Sequence, residues 1–382
     1  MKRILVANHH LLTYGGSETF TYTLVAELAR RGYQVDVFTF YEGIVSEKIK
    51  EFANIITLRT AKKEIYDLAL ISHKSCVEIA PYNAYKTVQI CHGIYPEEEQ
   101  PSASADSWIA ISEEVQNHLL TKGFKSSIIY NGIDLTRYCP KKTLNKELKT
   151  VLSLCQSDQA NEMVKEACLK AGVEFKYFDK FQNGVWNIED QLNEADLVVT
   201  LGRGAYEAMA CGRSVLIFDN RPYSESFGDG LLSNKPFFEE SIKNNCSGRR
   251  FKIKFDANSL AEEFKQYKQE QGENNRKLAL AYLDIKKAVD SYLEFGKTSF
   301  KEKISFHLFK KKKHFKSRYN KKFIKGKNTN GIWEVINGLR HPIHTEEEMN
   351  TRMLQVYGNK KWRYKVVSDR TIDKIPIVKD SY

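Results

Sequence analysis

A pair of glycines stands between the first apolar run of the chain and its first helical pattern. Gly15 and Gly16 follow the run 3–8 and precede 17–30, where apolar residues recur at helical spacing. Glycines let backbone N–H groups come close to a ligand, and the partial positive charge of a helix N-terminus suits a phosphate. We therefore predict that both glycines bind a phosphorylated ligand, although they do not form G-x-G-x-x-G and also fit a plain tight turn.

A histidine ends a later apolar run. His92, followed by Gly93, closes the run 87–91 at the edge where parallel strands end. An imidazole there can hydrogen-bond a hydroxyl group or transfer a proton. A structural role at the strand end is the alternative, and the residue alone does not decide between the two.

The most informative segment is 195–219. An apolar run leads into Gly202-Arg203-Gly204, and a short helical pattern with Glu207 follows. Arg203 is placed to bind a diphosphate through charge-assisted hydrogen bonds, and Glu207 is placed to accept hydrogen bonds from a ribose or a hexose. An ordinary strand–helix turn, with a surface arginine and a glutamate suited to the helix dipole, fits the same pattern.

Alternating strands and helices must position these residues. One series runs from residue 3 to 130 and another from 150 to 218, with Pro140-Lys141-Lys142 as the predicted hinge. Strands are predicted at 3–8, 35–40, 67–72, 87–91, 108–111 and 128–130 in the first series, and at 151–154, 174–178, 197–200 and 215–218 in the second. Helices are predicted at 259–267 and 277–292 beyond them. The fold class is therefore α/β, with two doubly wound, Rossmann-like sheets facing a cleft.

Composition limits the class of protein. The chain has 382 residues, of which 42% are apolar, enough for two cores and an additional segment. Its seven cysteines form no C-x-x-C pair, which argues against a zinc site or a disulfide framework and for a cytoplasmic protein. No run of 18 apolar residues occurs, and the run 3–8 is too short for a signal peptide.

The net charge of +11 is concentrated near the C-terminus. Residues 296–330 contain 13 Lys or Arg and one Glu, and residues 331–382 contain nine basic and seven acidic residues, which leaves −3 for residues 1–295. Lys310-Lys311-Lys312-Lys313 is flanked by Phe300, Phe306, Phe309, Phe315 and Phe323. This composition suits contact of 297–327 with an anionic membrane surface, at about 1 kcal/mol per basic residue. Nucleic-acid binding and a solvated linker are the alternatives.

Several of these segments together resemble glycosyltransferase family 4, in that family's order and spacing over residues 1–290. The segments are Tyr14-Gly15-Gly16-Ser17-Glu18, His92-Gly93, Ile109-Ala110-Ile111-Ser112-Glu113, Asn131-Gly132-Ile133-Asp134 with Arg137-Tyr138, and Glu207-Ala208-Met209-Ala210-Cys211-Gly212. The resemblance implies the two-lobed GT-B fold, a nucleotide-sugar donor on the C-terminal lobe and an acceptor on the N-terminal lobe. It also implies transfer with retention and without a metal, and the sequence contains no D-x-D pair.

The resemblance also assigns residues. Gly16 matches the phosphate-facing glycine loop, His92 the cleft histidine that contacts the transferred sugar, and Glu207 the second glutamate of a pair that contacts the donor ribose. We predict His92 and Glu207 as catalytic residues. The predicted donor-binding residues are Gly15, Gly16, Arg203, Gly204 and Asn131.

Two positions depart from the family pattern. The first glutamate of the pair is replaced by Val199, and the segment 153–159 lacks the arginine and lysine that clamp the donor diphosphate. Each lost charge-assisted bond forfeits about 1.5–3 kcal/mol. Arg203 compensates if the chain belongs to a variant subgroup with G-R-G-x-x-E-A-M-A-C-G, which also has a segment like 245–249.

The sequence thus predicts an acceptor domain at 1–147, a nucleotide-sugar domain at 148–295 and a basic extension at 296–382. The predicted protein transfers sugar to a saccharide or lipid-linked acceptor in cell-surface polysaccharide synthesis. It uses no metal and no cofactor, and it works in the cytoplasm, with peripheral contact at the inner membrane face. A catalytically degenerate binding or scaffold protein is the alternative, and nucleic acid is the least favoured partner.

Overall fold

The computed structural model describes residues 3–79, 83–178, 184–224, 227–232, 238–298, 303, 322–328, 331–336, 339–357, 362 and 364–373. The chain divides into two compact units, Met1–Lys297 and Thr298–Tyr382. The first unit contains two sheets and the second contains one. Among the described residues, no helix combines the length and the apolar character needed to cross a bilayer.

The first sheet has seven parallel strands in the order β3-β2-β1-β4-β5-β6-β7. The strands are β1 Arg3–Ala7, β2 Gln34–Phe38, β3 Asn54–Ile56, β4 Leu68–Ile71, β5 Thr87–Cys91, β6 Ser107–Ala110 and β7 Ser126–Ile128. The helices are α1 Gly16–Arg30, α2 Ile44–Ile49, α3 Leu58–Lys63, α4 Lys74–Ile79 and α5 Glu113–Thr121, with a 3₁₀ turn at Glu97–Glu99. Central strands such as β4 are buried throughout, because helices cover both faces of a doubly wound sheet.

The second sheet has the order β12-β11-β10-β8-β9. Its strands are β8 Thr150–Ser153, β9 Glu174–Tyr177, β10 Leu197–Thr200, β11 Ser214–Phe218 and β12 Gly228–Leu231. The helices are α6 Asp158–Ala171, α7 Ile188–Asn193, α8 Arg203–Ala210, α9 Phe238–Lys243, α10 Ala257–Phe264, α11 Glu270–Tyr282 and α12 Ile285–Phe295. The edge strand β12 is antiparallel, and the sequence analysis missed it because two of its four residues are glycines.

The chain crosses between the two sheets at two adjacent places. Ile129 packs in the core of the first sheet, whereas Ile133 packs in the core of the second. The chain returns next to this point, where the Ile133 N–H donates to the Leu283 carbonyl at 2.7 Å and the Ile285 N–H donates to the Ile133 carbonyl at 3.1 Å. A Cβ on Gly132 would lie 2.7 Å from the Ile285 Cα, so the two crossings need glycine here.

These crossings correct two sequence-based expectations. The single helix predicted at 277–292 is two helices, because Asp284 caps α12 by accepting a hydrogen bond from the Lys286 N–H. The chain passes from the first sheet to the second before Pro140, since Ile133, Leu135 and Tyr138 already pack in the second core. The helix α12 packs back on the first sheet through Ile285, Val289 and Tyr292.

The second unit has a four-stranded sheet in the order β15-β14-β13-β16. Its elements are β13 Lys322–Gly326, β14 Ile332–Ile336, β15 Leu339–Ile343, α13 Glu346–Tyr357, β16 Tyr364–Val367 and α14 Asp369–Asp373. Phe323 is buried against Met349 and Met353, so it belongs to this core and not to a membrane-facing segment. The run 310–313 and the phenylalanines at 300, 306, 309 and 315 lie outside the described residues.

Candidate functional site

A cleft of about 640 Å³ opens at the carboxyl ends of the strands of both sheets. Its walls come from the loops that follow β1, β4, β5 and β6 in the first lobe and β8, β10 and β11 in the second. All seven predicted site residues line it, namely Gly15, Gly16, His92, Asn131, Arg203, Gly204 and Glu207. The structure therefore brings them together, although they lie up to 192 positions apart in the sequence.

The glycine loop is occupied by a side chain of its own helix. A Cβ on Gly15 would lie 2.5 Å from Oε1 of Glu18, so the carboxylate sits in the space that glycine leaves. Ser17 Oγ donates to Glu18 at 2.8 Å, and His10 Nδ1 lies 3.2 Å away. Burial raises the pKa of Glu18, but these hydrogen bonds outweigh it, and the pKa lies below its usual value. A phosphate at this helix N-terminus would compete with Glu18.

Arg203 connects the two lobes. Its guanidinium donates to Glu207 Oε1 at 2.9 Å, to the Gly132 carbonyl at 3.0 Å and to Thr23 Oγ1 at 2.8 Å. Thr23 belongs to α1 of the first lobe, and Arg203 begins α8 of the second. Three of the five N–H donors of the guanidinium thus have protein partners, and among the described residues the other two have none and could bind a ligand.

Glu207 is likewise held by protein groups. It is buried, it accepts from Arg203, and the Tyr138 hydroxyl also donates to it. Burial raises the pKa of Glu207, and the positive charges of Arg203 and Arg137 counteract that rise only in part. Arg137 in turn donates to Glu189 and to the Trp186 carbonyl.

Aromatic side chains close one end of the cleft. Trp186 of the second lobe meets Tyr22 edge-to-face, with ring centroids 4.7 Å apart, and lies 5.9 Å from Tyr14. The Arg137 guanidinium also contacts this ring, 4.9 Å from the Trp186 centroid. The sequence analysis did not identify Trp186 or Tyr22, because neither belongs to a motif and their contact joins distant segments.

Two buried polar atoms at the cleft have no hydrogen-bond partner within the described part of the chain. They are Nε2 of His92 and Oδ1 of Asn131. The His92 ring packs on Phe20 at 4.8 Å, and burial lowers the pKa of His92 to about 3, so the imidazole is neutral at pH 7. Buried atoms of this kind normally find partners, and at a cleft the missing partner fits a polar ligand.

The two segments assigned to a variant subgroup lie side by side. The Gly202 N–H donates to the Cys246 carbonyl at 3.0 Å, and Gly202 has a positive φ of 64°. Asn245 and Cys246 also have left-handed backbones, with φ of 56° and 45°. Such conformations are costly for non-glycine residues and are concentrated at functional sites. Gly204 lets α8 pack on β10, since a Cβ there would lie 2.6 Å from Thr200 Oγ1.

The departures from the family pattern have clear structural positions. Val199 is buried in the core that packs α6 and α10 on the second sheet. Leu154 and Gln156 of the segment that lacks cations line the cleft. Arg221, which the sequence analysis missed, also lines the cleft and pairs with the buried Asp219 at 2.5 Å. Its signal was the polar segment 219–221 directly after the predicted strand 215–218.

Comparison with solved structures identifies the architecture. HepE from Anabaena, solved with UDP and glucose, matches 77% of this chain and 99% of its own at 14% identity and a TM-score of 0.51. A glycosyltransferase from Rickettsia africae ESF-5 matches 78% of this chain and 99% of its own, also at 14% and 0.51. AviGT4, involved in avilamycin A biosynthesis, matches 78% and 97% at 11% identity and 0.51.

No protein-family model and no curated protein matches the chain. At such identities the likeness to solved structures concerns the fold. The first unit has the two-lobed α/β architecture of GT-B glycosyltransferases, and the predicted fold class is confirmed.

Proposed function

We propose that the chain is a glycosyltransferase that moves a sugar from a nucleotide-sugar donor to a saccharide or lipid-linked acceptor. The observation that carries this proposal is the convergence of all seven predicted residues on one cleft, where two polar atoms lack partners. The GT-B fold supplies the context, since HepE has the same fold and was solved with UDP and glucose.

The donor diphosphate is assigned to the second lobe. Two N–H donors of the Arg203 guanidinium have no partner among the described residues. The backbone N–H groups of Arg203 and Gly204 are the first of α8, so they too are donors at this helix N-terminus. Together they would stabilise the negative charge that develops on the leaving nucleoside diphosphate. Arg221 adds a second cation on this side of the cleft.

The transferred sugar is assigned to the groups near the unpartnered atoms. A neutral His92 can accept or donate one hydrogen bond through Nε2, and Asn131 Oδ1 can accept one. Glu207 is assigned to the donor ribose on the basis of the family resemblance, which requires the ribose to share or replace its bonds to Arg203 and Tyr138.

The finer features of the proposal rest on the resemblance. They are front-side transfer with retention, independence of a metal, membership of the G-R-G subgroup and a role in cell-surface polysaccharide synthesis. The proposed domains are the acceptor lobe, the nucleotide-sugar lobe and the extension that the sequence places at 1–147, 148–295 and 296–382. The packing of Ile133 and Tyr138 in the second core and of α12 on the first sheet moves the boundary between the two lobes to the crossings near 129–133 and 283–285, about which they would close. The proposed location is the cytoplasm, with the part of 297–327 that precedes β13 at an anionic membrane face.

A second candidate function is a degenerate GT-B protein that binds a partner without catalysis. It is favoured by Val199 in the core, by the absence of Arg and Lys from 153–159, and by the existing partners of Arg203 and Glu207. In this alternative the Arg203 contacts serve only to hold the lobes together.

Thermal unfolding with a panel of UDP-, GDP-, ADP- and TDP-sugars distinguishes the glycosyltransferase from the degenerate binding protein. We expect the midpoint to rise with one nucleotide class by mass action, and Arg203→Ala to abolish the rise. Thr23→Val is the matched control. It removes the inter-lobe bond of Arg203 and the hydrogen bond from Thr23 Oγ1 to the Thr19 carbonyl, but it leaves the guanidinium in place and should keep the rise. No rise with any donor, in a folded wild-type chain, would favour the degenerate protein.

A further inference from the structure

Three consecutive glutamates follow His92, and the structure treats them differently. Glu97 pairs with Lys74 Nζ at 2.7 Å, and Glu98 accepts a hydrogen bond from the Ser75 N–H at 3.2 Å. Both contacts tie the 3₁₀ turn at Glu97–Glu99 to the start of α4. The first two glutamates therefore fix the position of the turn.

Glu99 has no such contact. Its side chain lines the cleft, and within the described residues no group donates a hydrogen bond to its carboxyl. The carboxyl lies against Gly93, where a Cβ would overlap Oε2 of Glu99. Gly93 directly follows His92, so the unpartnered carboxyl and the unpartnered His92 Nε2 lie on the same wall of the cleft.

Glu99 and Glu18 form a pair of carboxyls with opposite environments. Glu18 is held by His10 and Ser17, and its pKa is lowered. Burial raises the pKa of Glu99 to about 7, and the charge of Glu18 adds to the rise. Carboxyl pairs whose pKa values are pushed apart are typical of sites where one group stays ionised and the other exchanges a proton or a hydrogen bond.

The charge of this wall selects its ligand. Glu18 and Glu99 are both acidic and would repel a diphosphate, whereas neutral hydroxyl groups can donate to a carboxylate. The arginines that suit a diphosphate, Arg203 and Arg221, come from the second lobe.

We propose that Glu99 binds the attacking hydroxyl of a saccharide acceptor, accepting its hydrogen bond and directing its oxygen at the sugar held near His92. The proposal rests on the proposed transferase function. It concerns orientation of the nucleophile, and the family resemblance assigned no role to this residue.

Hydrolysis of the bound donor tests the proposal without knowledge of the acceptor, because water takes the place of the hydroxyl. The full-length chain is incubated with the nucleotide-sugar that raises its unfolding midpoint, and release of nucleoside diphosphate is followed from pH 6 to 8. We expect the wild-type rate to rise with pH as Glu99 ionises, with a midpoint near 7. Glu99→Gln should lower the rate about tenfold or more at pH 8 and remove the rise.

Glu97→Gln is the matched control, since it neutralises a carboxyl of the same turn that pairs with Lys74. It should keep the wild-type rate and pH profile. A Glu99→Gln chain with the wild-type rate and pH profile would overturn the proposal. So would a wild-type chain that binds donor yet hydrolyses none at any pH. A wild-type chain that binds no donor would instead count against the transferase function. Glu99→Gln should leave the donor-induced shift of the unfolding midpoint unchanged.

Discussion

The two walls of the cleft differ in how their polar groups are satisfied. On the second-lobe wall, Arg203 and Glu207 already bond to each other and to protein partners. On the first-lobe wall, Nε2 of His92 and the carboxyl of Glu99 have none within the described chain. A ligand on the second-lobe wall can bind the two remaining N–H donors of Arg203, but it reaches Glu207 only by exchanging existing bonds. A ligand on the first-lobe wall instead satisfies buried groups that have no partner among the described residues.

The walls also differ in charge. Arginines 203, 137 and 221 come from the second lobe, and Glu18 and Glu99 come from the first. This division suits an anionic donor on one side and a neutral polyhydroxyl ligand on the other. Motif residues such as Arg203 can therefore both stabilise the fold and bind a ligand. A residue outside any motif, such as Glu99, can have more of its polar atoms free to bind a ligand.

The largest expected effect is that of Arg203→Ala. The substitution leaves the buried Glu207 without its main cation and cuts a contact between the lobes, so we expect the free energy of unfolding to fall by about 3–5 kcal/mol. Urea denaturation at pH 7 measures it. Thr23→Val, which removes the hydrogen bonds of the Thr23 hydroxyl to Arg203 and to the Thr19 carbonyl, should cost about 1–2 kcal/mol.

Equal effects of Arg203→Ala and Thr23→Val would show that Glu207 does not depend on Arg203. The second-lobe wall would then be less tightly paired than the contacts indicate. An intermediate result for Arg203→Lys would separate the charge of Arg203 from its geometry, because lysine cannot reach three partners with a planar group.

A second inter-lobe pair should matter less. Arg249 donates two hydrogen bonds of 2.6 Å to Glu114 of α5, and both side chains are mostly buried. We expect Glu114→Gln to lower the free energy of unfolding by about 2 kcal/mol. Glu262→Gln, which breaks an exposed pair with Lys265 on α10, should cost less than about 0.5 kcal/mol. If Glu114→Gln lowered the free energy of unfolding as little as Glu262→Gln does, the Arg249–Glu114 contact would not stabilise the protein.

The sequence predicted the fold, the second-lobe residues Arg203, Gly204 and Glu207, and the first-lobe residues Gly15, Gly16 and His92. It could not predict contacts that exist only once the chain has folded. The apolar runs at 3–8 and 197–200 became buried parallel strands because their pattern alone specifies burial on both faces. Glu99 and Arg221 were missed because their environments depend on Gly93 and Asp219, which no periodicity reveals. The pairing of Glu18 over Gly15 was missed for the same reason. The small sheet of the second unit was missed because β13 has only two apolar residues and continues a strongly basic segment.

The third prediction uses the opposite environments of the two carboxyls. Because the pKa of Glu99 rises from 4.5 to about 7 on folding, its contribution to stability is full below pH 4.5 and is lost as pH rises to about 7. The stability of wild type relative to Glu99→Gln should therefore fall by about 1–2 kcal/mol between pH 5 and pH 8, allowing for water that reaches the carboxyl. Urea midpoints of both chains are measured at pH 5 and pH 8. Groups other than Glu99 titrate alike in the two chains, so their contributions cancel in the difference.

A difference that stays constant with pH would mean that Glu99 titrates normally. Glu18→Gln should behave in the opposite way, because the pKa of Glu18 is lowered on folding. The stability that Glu18 contributes is present above its ordinary pKa and is lost only as pH falls through the lower, folded value. Between pH 5 and pH 8 its difference from wild type should therefore be flat.

The smallest effects are expected from alanine substitutions of the two glycines that contact these carboxyls. The substitutions test whether Glu18 is held in place while Glu99 can move. An alanine Cβ at Gly15 or Gly93 would collide with Glu18 or Glu99. Glu18 cannot move without losing its contacts to His10 and Ser17, so Gly15→Ala should cost about 1–2 kcal/mol. Glu99 can swing into the cleft, so Gly93→Ala should cost less than about 1 kcal/mol while still impairing hydrolysis of the donor. If Gly93→Ala proved the more destabilising, Glu99 would be held as firmly as Glu18, and the first-lobe wall would lose the free carboxyl that distinguishes it from the second.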